Sequence, residues 1–179
     1  MSTASPALNL PNMMTLARLA SIPLFVVVFF LPFGWADVCA AAIFLLAGIT
    51  DAWDGYLARR LDQTSRFGAF LDPVADKLIV ATALVMLVQE HGNLWMAVPA
   101  IVIISREITV SALREWMAEI GARAKVAVSN IGKIKTVTQI TAITGLLAGK
   151  PVIEMDGSLT LSPLLWVSYV LLYVATALT

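Results

Sequence analysis

Six apolar runs separated by short polar breaks organise this chain. They cover about Met13–Leu31, Trp35–Ala58, Pro73–Gln89, Leu94–Leu113, Val126–Ala148 and Leu161–Thr179. Each approaches the roughly 20 residues of helix that a hydrocarbon core requires. The runs are continuous rather than alternating, which predicts helices and not barrel strands. The expected fold class is therefore an all-α integral membrane protein of six transmembrane helices. Residues 1–12 read as a lead, or as an interfacial segment beginning at Asn9-Leu10-Pro11-Asn12. Residues 13–179 read as one membrane domain. No secretory signal is expected, because residues 1–12 carry no positive charge. The sixth run stops at Thr179 without a polar flank, which suggests a short or trimmed tail.

Composition strengthens this picture. Of 179 residues, 59% are hydrophobic and only 13% are charged, about half the usual charged share of a soluble domain. Mean hydropathy is +0.85. Net charge is zero, so there is no bulk electrostatic case for a nucleic-acid partner. A single cysteine, Cys39, excludes an internal disulfide and a thiolate metal site. The lone histidine, His91, falls in the polar break Gln89–Asn93 and reads as structural.

The distribution of charge sets the expected orientation. With six spans, eleven of the twelve basic residues fall on one side or at its nearby helix ends, and only Lys150 on the other. The positive-inside rule makes the richer side cytoplasmic.

One stretch stands apart. Thr50–Lys77 carries five aspartates and four basic residues between apolar flanks. Asp51 and Asp54 are three apart at the end of one run. Asp72 and Asp76 are four apart at the start of the next. Both spacings put positions on one helix face. Consecutive antiparallel helices would bring these ends to one layer. Four unneutralised carboxylates near a bilayer repel and are costly to desolvate. Hard divalent cations, Mg²⁺ or Mn²⁺, two per site, answer that cost, and an oxygen-only donor set disfavours zinc and copper. The alternative is internal pairing with Arg59, Arg60, Arg66 and Lys77. Asp62 lies outside the register and reads as a loop residue. Gly55 and Ala58, one turn beyond Asp51 and Asp54, leave an uncovered strip that suits either a ligand or close helix packing. Pro73 is expected in a first helical turn, with Asp72 at or before the helix start.

Asp51-x-x-Asp54-Gly55-x-x-Ala58-Arg59, then Gly68-x-x-x-Asp72-x-x-x-Asp76, resembles the signature of the CDP-alcohol phosphatidyltransferases at every fixed position. Residues 9–18, 67–77, 105–116 and 126–136 extend the resemblance toward members that use glycerol 3-phosphate as acceptor. The resemblance implies a six-helix membrane enzyme, usually a homodimer, in the cell (inner) membrane with its site facing the cytoplasm. The reaction it implies moves a phosphatidyl group from CDP-diacylglycerol to glycerol 3-phosphate and releases CMP. It further implies that Asp51, Asp54 and Asp72 hold one metal, that Asp51, Asp72 and Asp76 hold a second, and that Asp76 is the general base. Gly55, Ala58, Arg59, Ser65 and Gly68, with Asn12 and Thr15 from the N-terminal segment, would meet CDP-diacylglycerol.

The acceptor needs recognition too. Arg106 and Glu107 lie inside an apolar run, where charge is a functional signal by default. Arg106, Arg114, Lys133 and Lys135 are candidates to cage the acceptor phosphate. The alternatives are snorkelling to lipid headgroups and, for Arg106, a pair with Glu107. Other acceptors (inositol phosphate, serine, phosphatidylglycerol) remain open within the family. A divalent-cation carrier or channel is the remoter class, and it would place its carboxylates at the bilayer midplane.

Overall fold

The computed structural model describes residues 10–61, 66–120, 130–149, 152–153, 159–160 and 162–179. Among these lie six helices and one short hairpin: α1 (Leu10–Phe29), α2 (Ala36–Leu61), α3 (Arg66–His91), α4 (Leu94–Glu119), α5 (Asn130–Ala148), β1 (Val152–Ile153), β2 (Leu159–Thr160) and α6 (Pro163–Ala177). The chain divides into two compact units, Met1–Ala83 and Leu84–Thr179, and α3 contributes to both.

In the first unit α1 packs against α2. Phe25 and Phe44 are both buried, with ring centroids 6.3 Å apart, and Phe29 stands the same distance from Phe25. Ala40, Ala41 and Ala47 are buried on α2. Small side chains let the two backbones approach, and in an apolar solvent that closeness supplies much of the packing energy. Phe33 and Trp35 stack at 5.3 Å in the intervening turn, both exposed. The Ala36 amide donates to the Phe33 carbonyl and starts α2.

The start of α3 corrects one expectation. The helix begins at Arg66, so Asp72 is within it and Pro73 is interior. Pre-proline crowding disfavours helical backbone without forbidding it. The residues before Pro73 (Phe67, Gly68, Ala69, Phe70, Leu71) continue the helix through Asp72. Helix therefore extends into the break between the second and third apolar runs from both sides, up to Leu61 and from Arg66.

In the second unit, α3 ends where Gly92 takes φ +55°, a left-handed conformation that glycine adopts without strain. Asn93 then caps α4, its side chain accepting from the Met96 amide at 2.9 Å. α4 runs six residues beyond the expected end at Leu113, so Arg114 and Trp116 are helical. The break between the fifth and sixth apolar runs holds both short strands: Val152 pairs with Thr160 and Ile153 with Leu159, antiparallel. Ser162 caps α6 with Pro163 in its first turn. Tyr169 on α6 shares a 2.7 Å hydrogen bond with His91 Nδ1, and the Tyr173 hydroxyl donates to the Trp95 carbonyl at 3.0 Å. These bonds fasten α6 to the α3–α4 turn. His91 is buried beyond the apolar run of α3, and burial pushes its imidazole below the ordinary value. Its ring stands edge-on to Tyr169, with centroids 5.4 Å apart.

α5 and α6 pack closely. A Cβ added at Gly145 would collide with Ser168 Oγ, and one at Gly149 would stand 3.1 Å from Leu165. Gly145→Ala is therefore expected to cost about 1–3 kcal/mol through overpacking. Thermal unfolding in detergent checks this, and adding Ser168→Ala to the same protein should recover part of the loss.

α4 is long and apolar enough to cross a membrane; the apolar stretches Met13–Phe29, Ala36–Thr50, Ile134–Ala148 and Pro163–Ala177 are shorter. Both units expose large apolar side chains, among them Val27, Val38 and Leu46 in the first and Ile101, Val137 and Val170 in the second. Such a surface suits lipid rather than water.

Candidate active site

Asp51 and Asp54 stand on α2, three positions apart near its end. Asp72 and Asp76 stand four apart on α3, in the part that belongs to the first unit. The helical registers of the sequence reading are thus present in the backbone. Gly55, Ala58 and Arg59 continue along α2, Gly68 lies on α3 and Asn12 on α1. The side chains of Asn12, Asp51, Asp54, Ala58, Arg59, Asp72 and Lys133 lie outside the described set, as does Ser65 altogether. Arg123, Lys125 and Lys150 are also outside it. Thr15 is enclosed, at 1% exposure, so contact with a nucleotide would require it to become accessible.

Asp76 is the described member of the aspartate set. Its side chain is 40% exposed, and its Oδ1 accepts from Arg18 Nη1 at 2.8 Å. Arg18 comes from α1 and its side chain is only 2% exposed. A charge-assisted bond of this length is among the stronger polar contacts a protein makes. Arg18 lies near the start of the first apolar run, and nothing local in the sequence selects its partner. The available signal was the charge itself: an ionisable residue in an apolar helix is rarely tolerated without a countercharge.

α1 and α2 flank an open pocket of about 290 Å³ whose lining includes Arg18, Ser21, Ile43, Ala47 and Thr50. Thr50 immediately precedes Asp51, so this pocket borders the first half of the motif.

A second polar cluster lies in the other unit. Lys135 on α5 is 3% exposed and donates to the Glu107 carboxylate on α4. Arg106 Nη1 stands 3.4 Å from the same Glu107 oxygen, and Arg106 Nε donates to the Thr179 carbonyl at 3.1 Å. The two cations share one carboxylate, so the trio keeps a net positive charge. The pairing of Arg106 with Glu107, weighed in the sequence, is present. That of Lys135 with Glu107 was not foreseen, because it joins positions 28 apart on different helices. Arg114 is exposed, about two turns further along α4.

The residues at these four registers are all aspartates, with neither histidine nor cysteine among them.

Comparison with known proteins agrees with this arrangement. The family model described as CDP-alcohol phosphatidyltransferase matches residues 8–179. A Sodalis glossinidius protein is 58% identical over 140 residues, covering 78% of this chain and 77% of its own length. A Salmonella typhimurium protein is 50% identical over 174 residues, covering 96% and 88%. One from Yersinia pestis is 51% identical over 172 residues, covering 96% and 89%. All three carry the name CDP-diacylglycerol–glycerol-3-phosphate 3-phosphatidyltransferase. A match across nearly the whole length, on a chain with the aspartate registers in place, settles the affiliation: the chain belongs to the CDP-alcohol phosphatidyltransferase family.

Proposed function

We propose that this chain is a phosphatidylglycerophosphate synthase, transferring the phosphatidyl group of CDP-diacylglycerol to glycerol 3-phosphate and releasing CMP. The observation that carries the acceptor is identity of 50% or more, across nearly all of the chain, to relatives named for that reaction. The motif supports the donor half.

In the reaction, the 1-hydroxyl of glycerol 3-phosphate attacks the phosphorus that bears the diacylglycerol. A new P–O bond forms, the bond to the CMP oxygen breaks, and the hydroxyl proton must be accepted. Transfers of this kind need alignment and charge neutralisation more than covalent help. Asp76, whose side chain is 40% exposed and accepts from Arg18, is suited to take that proton. Asp51, Asp54, Asp72 and Asp76 would hold two divalent ions. When bound, these supply charge neutralisation for the diphosphate and the leaving CMP. Gly55 and Ala58 leave room beside α2 for the nucleotide, with Gly68 doing the same on α3. Arg59 offers a donor fork to the diphosphate, and Ser65, Asn12 and Thr15 complete the donor contacts. Arg106, Arg114, Lys133 and Lys135 would bind the acceptor phosphate, and Glu107 would keep two of them in place.

In the membrane the six helices would be the six spans, with the motif face cytoplasmic, and the enzyme would work as a homodimer in the inner membrane. The test is an acceptor panel. Purified protein with CDP-diacylglycerol and Mg²⁺ should release CMP with glycerol 3-phosphate. Release with inositol phosphate, serine or phosphatidylglycerol instead would overturn the acceptor assignment.

A further inference from the structure

We propose that Gln139 on α5 reads the secondary hydroxyl of the acceptor: its amide bonds the 2-hydroxyl of glycerol 3-phosphate while Lys135 and Arg106 hold the phosphate. Gln139 is 5% exposed and lies one turn beyond Lys135, on the same buried face of α5. The other described polar side chains of that helix behave differently. Thr136, Thr138, Thr141 and Thr144 each donate to a carbonyl of α5 one turn back, and Lys135 donates to Glu107. Among the described residues no hydrogen bond reaches the Gln139 amide. An enclosed amide without a partner is costly in any apolar interior, and more so where lipid replaces water. Methionine, of similar length, would fill the same space without that cost. The polarity at position 139 therefore points to a ligand.

The surroundings indicate its chemistry. Among the described residues the backbones of α4 and α5 do not come close, and the long side chains of Lys135 and Glu107 bridge the gap. Helix side chains lean toward the N-terminus, which on α5 is the direction of Lys135. Lys135 and Arg106 retain N–H donors beyond those given to Glu107 and Thr179, and two cations suit a phosphate. An amide is neutral, both donates and accepts, and so matches an alcohol. Four residues of helix separate Gln139 from Lys135 by about 6 Å along the axis, the scale of a three-carbon phosphorylated alcohol. The 1-hydroxyl of that alcohol is the nucleophile and must stay with the reacting phosphorus, which leaves the 2-hydroxyl to Gln139.

This role rests on the assignment of glycerol 3-phosphate as acceptor, and the experiment separates the two. Wild type and Gln139→Met are purified in detergent and given CDP-diacylglycerol, Mg²⁺ and one of three acceptors. These are glycerol 3-phosphate, propane-1,3-diol monophosphate (the same molecule without its 2-hydroxyl) and phosphatidylglycerol, which carries the same hydroxyl beside a phosphodiester. CMP release gives kcat/KM for each, and thermal unfolding gives stability. Wild type should favour glycerol 3-phosphate over the deoxy acceptor by about 100-fold or more, because a site built around a hydroxyl rejects the analogue that lacks it. Gln139→Met should lose about 30- to 100-fold with glycerol 3-phosphate and change by less than about threefold with the deoxy acceptor, so that the preference collapses. Its KM for CDP-diacylglycerol should not move. Its unfolding midpoint should be unchanged or a few degrees higher, because an unpartnered amide has given way to an apolar side chain.

Use of phosphatidylglycerol in place of glycerol 3-phosphate by wild type would overturn the acceptor assignment, and this role with it. Where wild type does use glycerol 3-phosphate, equal use of the deoxy acceptor would overturn the role of Gln139 alone, and that comparison needs no variant to fold. An equal loss on both acceptors in Gln139→Met, or a preference that survives the substitution, would do the same.

Discussion

Asp76→Asn is expected to fold and insert, bind CDP-diacylglycerol with nearly unchanged KM, and lose about 10³-fold in kcat, within the range of a general base. The amide keeps an oxygen that can accept from Arg18, so the contact to α1 survives in weakened form. What disappears is the negative charge and the ability to hold a proton. Thermal unfolding and size exclusion would establish the fold, and CMP release the turnover. Full turnover would remove Asp76 as base and as metal ligand together. Asp62→Asn provides the internal comparison: it lies outside the register of the four aspartates and should change kcat by less than about twofold.

The second large effect concerns the Glu107–Lys135 pair. Lys135→Met should raise KM for glycerol 3-phosphate about 10- to 100-fold, the worth of one charged hydrogen bond to phosphate. KM for CDP-diacylglycerol should not move. Glu107→Leu acts differently. It leaves the enclosed Lys135 ammonium without its carboxylate and beside Arg106. We expect a loss of about 2–3 kcal/mol, at the low end for a broken buried pair because Glu107 retains 29% exposure. For a chain of this size that is a fall of about 4–12 °C in the unfolding midpoint. The double variant Glu107→Leu/Lys135→Met removes both charges and should recover stability without recovering acceptor use. Recovery of both would show that the pair serves the fold alone.

Helix existence, the aspartate registers and the family were legible in the sequence because each is local. Hydropathy repeats over about 20 residues, and the spacings 51/54 and 72/76 are a single helical turn. Tertiary pairings were not legible. Arg18 with Asp76 and Glu107 with Lys135 join residues 58 and 28 positions apart, and nothing in the local pattern selects those partners among the other charges. The start of α3 was misplaced because the pre-proline rule weighs only one neighbour. It takes no account of the preceding residues, which carry the helix through Asp72. The α4 end was set early at Leu113 for a related reason: the run turns polar there, but a helix can continue past the apolar part of its sequence. The Val152–Thr160 hairpin was missed because each strand has only two residues, too few to show alternation.

The Arg18–Asp76 contact also constrains how the protein is made. Asp76 is synthesised 58 residues after Arg18, an interval of about 3–12 s at ordinary bacterial rates of roughly 5–20 residues per second. During that time α1 carries a guanidinium that will end up enclosed, and the Asp76 carboxylate is not yet there to meet it. A long side chain of this kind can reach toward headgroups meanwhile if α1 spans the bilayer. The contact forms only once the first turns of α3 have been made. The N-terminal helix is thus first in the chain, and one of its polar contacts is completed late.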